Sequence, residues 1–161
     1  MPEAIAFLAF IAVQRLGELI LARRNTARLL ASGAREHGAS HYPLIVALHA
    51  AWLAALVLFG WDEPVSPPWL IAFAVLQVLR VWILATLGPR WTTRIVVTDE
   101  PPIRAGPYRF LRHPNYALVV CEIAVAPMVL GLVWVAVLFS ILNAAMLAVR
   151  IRAEDRALGR G

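Results

Sequence analysis

The apolar segment from Pro114 to Val149 constrains the fold of this chain more than any other feature. Its only charged side chain is Glu122. As one helix the segment would be about 54 Å long, whereas the hydrocarbon core of a bilayer is about 30 Å thick. The segment must therefore fold back on itself. We expect the bend at Gly131, close to Pro127, because glycine and proline interrupt helices most readily. The result is a hairpin of two short membrane spans.

Three more apolar segments precede this hairpin, from about Glu3 to Ala22, Tyr42 to Gly60 and Pro68 to Leu87. The chain is 61% hydrophobic, compared with about 45–50% for soluble domains. We therefore predict an all-α polytopic membrane bundle of about five transmembrane helices, forming one domain over residues 1–161. The start of the chain lacks the positive region of a secretory signal, so we expect the first span to be retained.

The distribution of arginine predicts the orientation. All 15 basic side chains other than histidine are arginines. Three polar segments hold most of them: Arg23, Arg24, Arg28 and Arg35 in the first loop, Arg90, Arg94, Arg104, Arg109 and Arg112 in the third, and Arg150, Arg152, Arg156 and Arg160 in the tail. Five spans place all three segments on one side, which the positive-inside rule makes cytoplasmic. The N-terminus is then outside. Arginines beside apolar spans indicate membrane anchoring and not a nucleic-acid partner.

Several polar residues lie within the predicted spans, where charges usually mark function or a buried pair. Arg15 and Glu18 are one helical turn apart and predict a local ion pair. Gln77 and Arg80 have the same spacing. Arg80 could extend to the interface or pair with Glu122. Gln77, Arg80 and Glu122 are therefore candidates either for structural pairing or for a substrate pocket.

Isolated polar residues elsewhere in the chain do not indicate a functional site. His49 stands alone in an apolar helix, and we expect a hydrogen-bonded histidine of the core. Cys121 is the only cysteine, and we expect it to be a small packing residue. The four histidines lack the spacing of a known metal site, so no metal is predicted.

A polar segment from Gly106 to Tyr116 leads into the fourth span. Pro114 suits the first helical turn, and His113 before it is disfavoured in a helix. The free N–H groups of the helix that follows favour an anion at this point. Earlier in the third loop, residues 94–98 are expected to be extended, and Pro101 and Pro102 then break regular structure.

The tail from Arg150 to Arg156 returns to the same face of the membrane. Glu154 and Asp155 could face a cation, whereas Arg112 and Arg150 could face a carboxylate. A zwitterion such as S-adenosylmethionine needs both. The alternative is that both polar clusters only anchor the chain, with solvated charges.

Arg112-His113-Pro114-Asn115-Tyr116 resembles the signature of the isoprenylcysteine carboxyl methyltransferase family. Residues 150–155 resemble the Arg-x-x-x-Glu-Glu ending of that family, with Asp155 in place of the second Glu. The resemblance covers the core over residues 77–158 and includes the Leu-Gly-Pro-Arg-Trp-Thr segment at 87–92. Arg-Arg-Asn at 23–25 and His-Tyr-Pro at 41–43 resemble a bacterial subgroup.

The resemblance implies a methyltransferase of the bacterial inner membrane that uses S-adenosylmethionine without a Rossmann domain. Its acceptor would be an oxygen of a lipophilic molecule whose tail lies between the spans, among membrane lipid. By position, Arg150 and Glu154 are predicted as catalytic residues that orient the substrate. The predicted cofactor-binding residues are Tyr108, Arg112, His113, Pro114, Tyr116 and Glu154.

The choice of acceptor sets the chemistry. Methyl transfer from a sulfonium is an in-line displacement, so alignment is the main task. A carboxylate needs no base, and Arg150 could orient it. A phenolic or enolic hydroxyl, as on the long-chain aromatic or pyrone lipids that the bacterial resemblance implies, would benefit from a base such as Glu154 or His113. A membrane reductase-like enzyme using NADPH and a non-catalytic membrane module are the alternatives.

Overall fold

The computed structural model describes residues 2–159, most of them in five helices. These are α1 (Pro2–Ala31), α2 (Tyr42–Gly60), α3 (Pro67–Leu87), α4 (Pro114–Val129) and α5 (Val133–Ala157). Within the described chain, α1, α2, α3 and α5 are long and apolar enough to cross a membrane, and α4 is a shorter apolar helix. The predicted polytopic bundle is confirmed. Arg160, predicted as part of the basic tail, lies outside the described residues.

The hairpin of α4 and α5 turns where the sequence predicts. Gly131 has a φ of 68°, a left-handed conformation that glycine adopts without the strain of a side chain. The Leu132 N–H donates to the Pro127 carbonyl at 2.9 Å and closes the turn. The Ser66 N–H donates to the Val129 carbonyl at 2.8 Å, which ties the start of α3 to the end of α4. At about 24 Å, α4 is shorter than the hydrocarbon core is thick.

The first helix continues beyond its predicted end at Ala22 to Ala31. The apolar pattern predicts only the segment of α1 that can lie in lipid. The arginines after Ala22 also have a high helix propensity, so the helix continues beyond the apolar segment. Asn25 is buried in this extension, and its Nδ2 donates to the Trp91 carbonyl at 2.8 Å. The extension of α1 therefore holds the third loop against the bundle.

Two short strands cover the end of the bundle where this loop lies. Strand β1 (Arg35–His37) pairs antiparallel with β2 (Ile95–Val97), with Glu36 opposite Val96. The extended segment predicted at 94–98 is confirmed, but its partner in the first loop was not predicted. Arg94 Nη1 lies 2.6 Å from Glu36 Oε1, and the Arg94 guanidinium lies 4.3 Å from the Tyr42 ring centroid. These contacts join the two loops to the start of α2.

The outer surface of the helices is apolar, as a lipid environment requires. Large apolar side chains such as Val13, Val78 and Ile141 are exposed. Cys121 is exposed on α4, so its prediction as a packing residue is wrong. Sequence alone did not show which face of α4 meets the bundle, because apolar residues surround that helix on every side.

Glu122 lies at the centre of the bundle with no exposed surface. Arg80 of α3 donates to it through Nε at 2.8 Å and also through Nη2. Arg15 of α1 donates through Nη2 at 2.6 Å, and Gln77 donates through Nε2 at 3.0 Å. The pairing of Arg80 with Glu122 anticipated from the sequence is confirmed, and Arg15 is an additional partner.

Glu18 completes this buried ion network. Its Oε2 accepts a hydrogen bond from Arg15 at 2.9 Å, which confirms the predicted local pair. Its Oε1 lies 3.0 Å from Arg80 Nη1. Gln14 connects Glu18 to Gln77, with its Nε2 at 3.1 Å and 2.6 Å from their side-chain oxygens. Two arginines and two carboxylates thus balance in charge and join α1, α3 and α4.

We expect Arg80→Gln and Glu122→Gln each to destabilise the bundle by about 3–5 kcal/mol, because each leaves one buried charge uncompensated. The double variant restores charge balance, and its loss should therefore be smaller than the sum of the single losses. Unfolding in detergent micelles measures all three free energies.

Arg152→Gln, an exposed arginine of α5, is the matched control and should change stability by less than about 0.5 kcal/mol. Additive losses in the Arg80 and Glu122 variants would contradict the coupling of this pair.

Candidate active site

A cavity of about 420 Å³ opens at the end of the bundle that carries the loops. Strand β2 and the third loop form one wall, and the start of α4 and the end of α5 form the other. Leu29, Leu87 and Leu158 contribute apolar surface. The polar side chains that line it are Arg90, Thr92, Arg94, Thr98, Arg104, Tyr108, Arg112, His113, Asn115, Tyr116, Arg150 and Glu154.

Tyr116 and Arg150 form the floor between α4 and α5. Arg150 Nε donates to the Tyr116 hydroxyl at 3.0 Å, and Arg150 Nη2 donates to the Thr93 carbonyl. The Tyr116 hydroxyl in turn donates to Glu154 Oε2. Each group orients the next. The arginine is fixed between a loop carbonyl and a phenol, and the phenol holds the carboxylate at the cavity wall.

His113 lies over this floor. Its ring stacks on Tyr116 with centroids 5.3 Å apart and planes 23° apart. Nδ1 lies 3.8 Å from Glu154 Oε1, and Nε2 lies 3.7 Å from Asp155 Oδ1, so both distances exceed hydrogen-bond range. Among residues 2–159, neither His113 Nε2 nor Asp155 Oδ1 has a hydrogen-bond partner, although both atoms are buried. The resemblance of residues 150–155 leads us to expect a glutamate at position 155, and its side chain would be one methylene longer than that of Asp155.

The third loop brings Tyr108 to the cavity. Gly106 has a φ of 52°, and a Cβ there would lie 2.4 Å from Thr86 Oγ1, so glycine allows the loop to lie directly on α3. Burial, followed by the charge of Glu154, raises the pKa of Tyr108 to about 12. The Tyr108 phenol is therefore protonated at neutral pH and can donate a hydrogen bond into the cavity.

Positive charge is concentrated at the mouth. Arg104 and Arg112 are exposed, and no ion pair involving either occurs within the described chain. Arg90 is less free, because its Nη1 donates to the Pro101 carbonyl at 2.9 Å. The first turn of α4 begins at Pro114 beside Arg112, and its unpaired N–H groups add partial positive charge.

The structure brings most of the predicted site residues together. Of the predicted catalytic and cofactor-binding residues, only Pro114 does not line the cavity; it is buried and begins α4. Gln77, Arg80 and Glu122 lie in the buried ion network and line neither this cavity nor a smaller one beside it.

Sequence reasoning assigned no role to Thr98 or Asn115, which line the cavity, or to Thr93, whose carbonyl accepts a hydrogen bond from Arg150. Thr98 Oγ1 is buried and has no hydrogen-bond partner within residues 2–159. No pattern in the sequence marks the two threonines, because only the fold of the third loop brings Thr98 to the cavity and the Thr93 carbonyl to Arg150. Asn115 lies within the Arg112–Tyr116 motif, but no role was predicted for it.

Comparison with known proteins agrees with this geometry. The sequence profile of the isoprenylcysteine carboxyl methyltransferase family matches residues 69–160, which include both polar motifs of the cavity. The uncharacterized protein YpbQ of Bacillus subtilis (strain 168) is 40% identical over 157 residues, covering 94% of each chain. No solved structure matches significantly. The resemblance is thus confirmed, and the chain belongs to the isoprenylcysteine carboxyl methyltransferase family of membrane methyltransferases, which use S-adenosylmethionine.

Proposed function

We propose that this protein transfers a methyl group from S-adenosylmethionine to an oxygen of a lipophilic acceptor, either a carboxylate or a phenolic or enolic hydroxyl. One observation carries the proposal. The cavity is lined both by an oriented carboxylate, Glu154, and by two exposed arginines, Arg104 and Arg112, that form no ion pair within residues 2–159. Such a site can bind both ends of a zwitterion.

The residues present fit S-adenosylmethionine. Glu154 suits the ammonium group, whereas Arg112 and the start of α4 suit the carboxylate. The buried Thr98 Oγ1 and His113 Nε2 lack partners within residues 2–159 and can bond ribose or adenine. The leucines of the cavity offer apolar surface to the adenine ring. The volume lies within the range of about 300–1,000 Å³ that is usual for small-molecule sites.

The chain's own residues then have distinct tasks. When bound, S-adenosylmethionine supplies an electrophilic methyl group on a sulfonium. Arg150, fixed by Thr93 and Tyr116, lies on the floor of the cavity on the membrane side, where it can orient an acceptor oxygen. Alignment of the acceptor with the methyl carbon accounts for most of the rate enhancement in such a displacement.

The cavity opens on the side of the three basic segments, which we propose is the cytoplasmic side of a bacterial inner membrane. In intact cells, a membrane-impermeant maleimide should label Asp62→Cys in the second loop and should label Arg152→Cys in the tail only after lysis. Both variants carry Cys121→Ala, so that the introduced thiol is the only one. The opposite labelling pattern would refute the orientation with the N-terminus outside.

Calorimetric titration with S-adenosylhomocysteine tests the cofactor. We expect saturable binding by the purified protein. His113→Ala and Glu154→Ala should each weaken it about tenfold or more, since each loses roughly 1.4 kcal/mol or more of contact. The matched controls are His41→Ala and Asp62→Ala, which lie outside the cavity and should bind like the native protein.

A folded native protein that binds no S-adenosylhomocysteine would contradict the proposal. Saturable binding of NADPH in its place would favour a reductase-like enzyme.

A further inference from the structure

Two short motifs in the first half of the chain line neither cavity. They are Arg-Arg-Asn at 23–25 and His-Tyr-Pro at 41–43, and both precede the segment that matches the family. The structure places one residue of each motif, Asn25 and Tyr42, against the same turn of the third loop, at residues 91–94. This turn leads directly into β2, which forms a wall of the larger cavity.

The 91–94 turn is closed internally and anchored at both ends. The Thr92 hydroxyl donates to the Arg94 carbonyl at 2.7 Å and accepts from the Arg94 N–H at 2.9 Å. At one end, Asn25 Nδ2 of α1 donates to the Trp91 carbonyl at 2.8 Å. At the other end, Arg94 Nη1 lies 2.6 Å from Glu36 Oε1 of β1. Residues of the first half of the chain therefore fix the backbone of this turn.

Thr93, within the turn, makes two contacts. Its hydroxyl lies 2.9 Å from the Tyr42 hydroxyl, and its carbonyl accepts a hydrogen bond from Arg150 Nη2. Tyr42 is the first residue of α2, and its ring is packed against the Arg94 guanidinium. Because the hydroxyl and the carbonyl belong to one residue, a shift of Thr93 that breaks its contact with Tyr42 also moves the acceptor of Arg150.

Arg150 depends on this acceptor. The side chain is 9% exposed and forms no ion pair within residues 2–159. Its charge is held by the Thr93 carbonyl at Nη2 and by the Tyr116 hydroxyl at Nε. Two contacts at different nitrogens fix the plane of the guanidinium, whereas one contact would allow it to rotate.

We propose that Tyr42 is a positioning residue for Arg150 and acts through Thr93. The first half of the chain then completes a site whose predicted catalytic and cofactor-binding residues all lie in the matched segment, residues 69–160. The kinetic consequence rests on the methyltransferase function proposed above, in which Arg150 orients the acceptor oxygen. The structural consequence, a guanidinium held in one place, is independent of that function.

Phenylglyoxal, which modifies accessible arginine side chains, measures how firmly Arg150 is held. Tyr42→Phe and Thr93→Val each remove one hydroxyl and nearly preserve the shape of the side chain. In detergent-purified protein, each should raise the rate of modification at Arg150 about two- to tenfold, the change that loss of one hydrogen bond produces. Peptide mass analysis reads the exposed Arg104 in the same sample, and its rate should stay native.

Conservative variants serve as controls. Thr93→Ser retains the hydroxyl and should restore the native rate at Arg150. His41→Gln alters the residue next to Tyr42, lines neither cavity and should also react like the native protein. The double variant Tyr42→Phe with Thr93→Val should react no faster than the single variants, because both substitutions remove the same hydrogen bond. Native rates at Arg150 in both single variants, or additive increases in the double variant, would overturn the proposal.

Kinetics in lipid nanodiscs test the consequence for catalysis. A long-chain fatty acid and a long-chain phenol are supplied in parallel with S-adenosylmethionine. For the acceptor that native protein methylates, Tyr42→Phe should lower kcat about tenfold or more, because alignment of the acceptor accounts for much of the rate. Affinity for S-adenosylhomocysteine and thermal stability should remain close to native. A merely structural role for Tyr42 would instead lower stability and cofactor affinity together with kcat.

Binding of S-adenosylhomocysteine separates the two proposals. Native protein that binds none would overturn the proposed function, and the modification rate at Arg150 would still decide whether Tyr42 positions it. If native protein binds the cofactor product and Tyr42→Phe leaves both the modification rate and kcat unchanged, the positioning role is overturned and the proposed function stands. Faster modification of Arg150 with a native kcat would overturn the catalytic consequence.

Discussion

Glu122 has no exposed surface inside a mostly apolar bundle, where an uncompensated carboxylate would be costly. Arg15 and Arg80, from two other helices, meet that charge together. Hydrogen bonds of this kind tolerate little displacement, so they set the depth and rotation of α4 against α1 and α3. Tyr116 lies fewer than two turns before Glu122 on the same helix. The buried ion network therefore also positions the floor of the larger cavity.

Much of this arrangement could be predicted from the sequence because membrane topology restricts the possibilities. A segment too long to cross once must turn back, and the turn at Gly131 then brings Arg150 and Glu154 to the face where His113 and Tyr116 begin α4. Because α4 and α5 form a hairpin, the start of α4 and the end of α5 lie at the same face of the membrane. The count of spans and the positions of the polar motifs predict that these four residues lie at one face of the membrane, and the family resemblance supplied the prediction that they share one site.

The remaining features depend on contacts that no local pattern reveals. The pairing of β1 with β2 joins segments of three residues from two loops, and Arg35–His37 has no strand-like alternation of apolar residues. Arg15 was paired only with Glu18 by spacing, because its contact with Glu122 needs the packing of α1 on α4. His49 forms the expected hydrogen bond, to a backbone carbonyl of its own helix. His49 and Asn143 are isolated polar residues in apolar helices, and only the packing of α2 on α5 brings them to the smaller cavity.

The central claim is that the larger cavity holds the cofactor, and protection of an introduced cysteine tests it most directly. Leu158 lines that cavity and is 37% exposed, whereas Cys121 lies on the outer surface of α4. In Leu158→Cys protein, a maleimide that partitions into detergent can label both thiols, and peptide mass analysis separates them. We expect S-adenosylhomocysteine to slow labelling at position 158 in proportion to its occupancy and to leave labelling of Cys121 unchanged. Equal labelling at position 158 with and without saturating S-adenosylhomocysteine would contradict the claim.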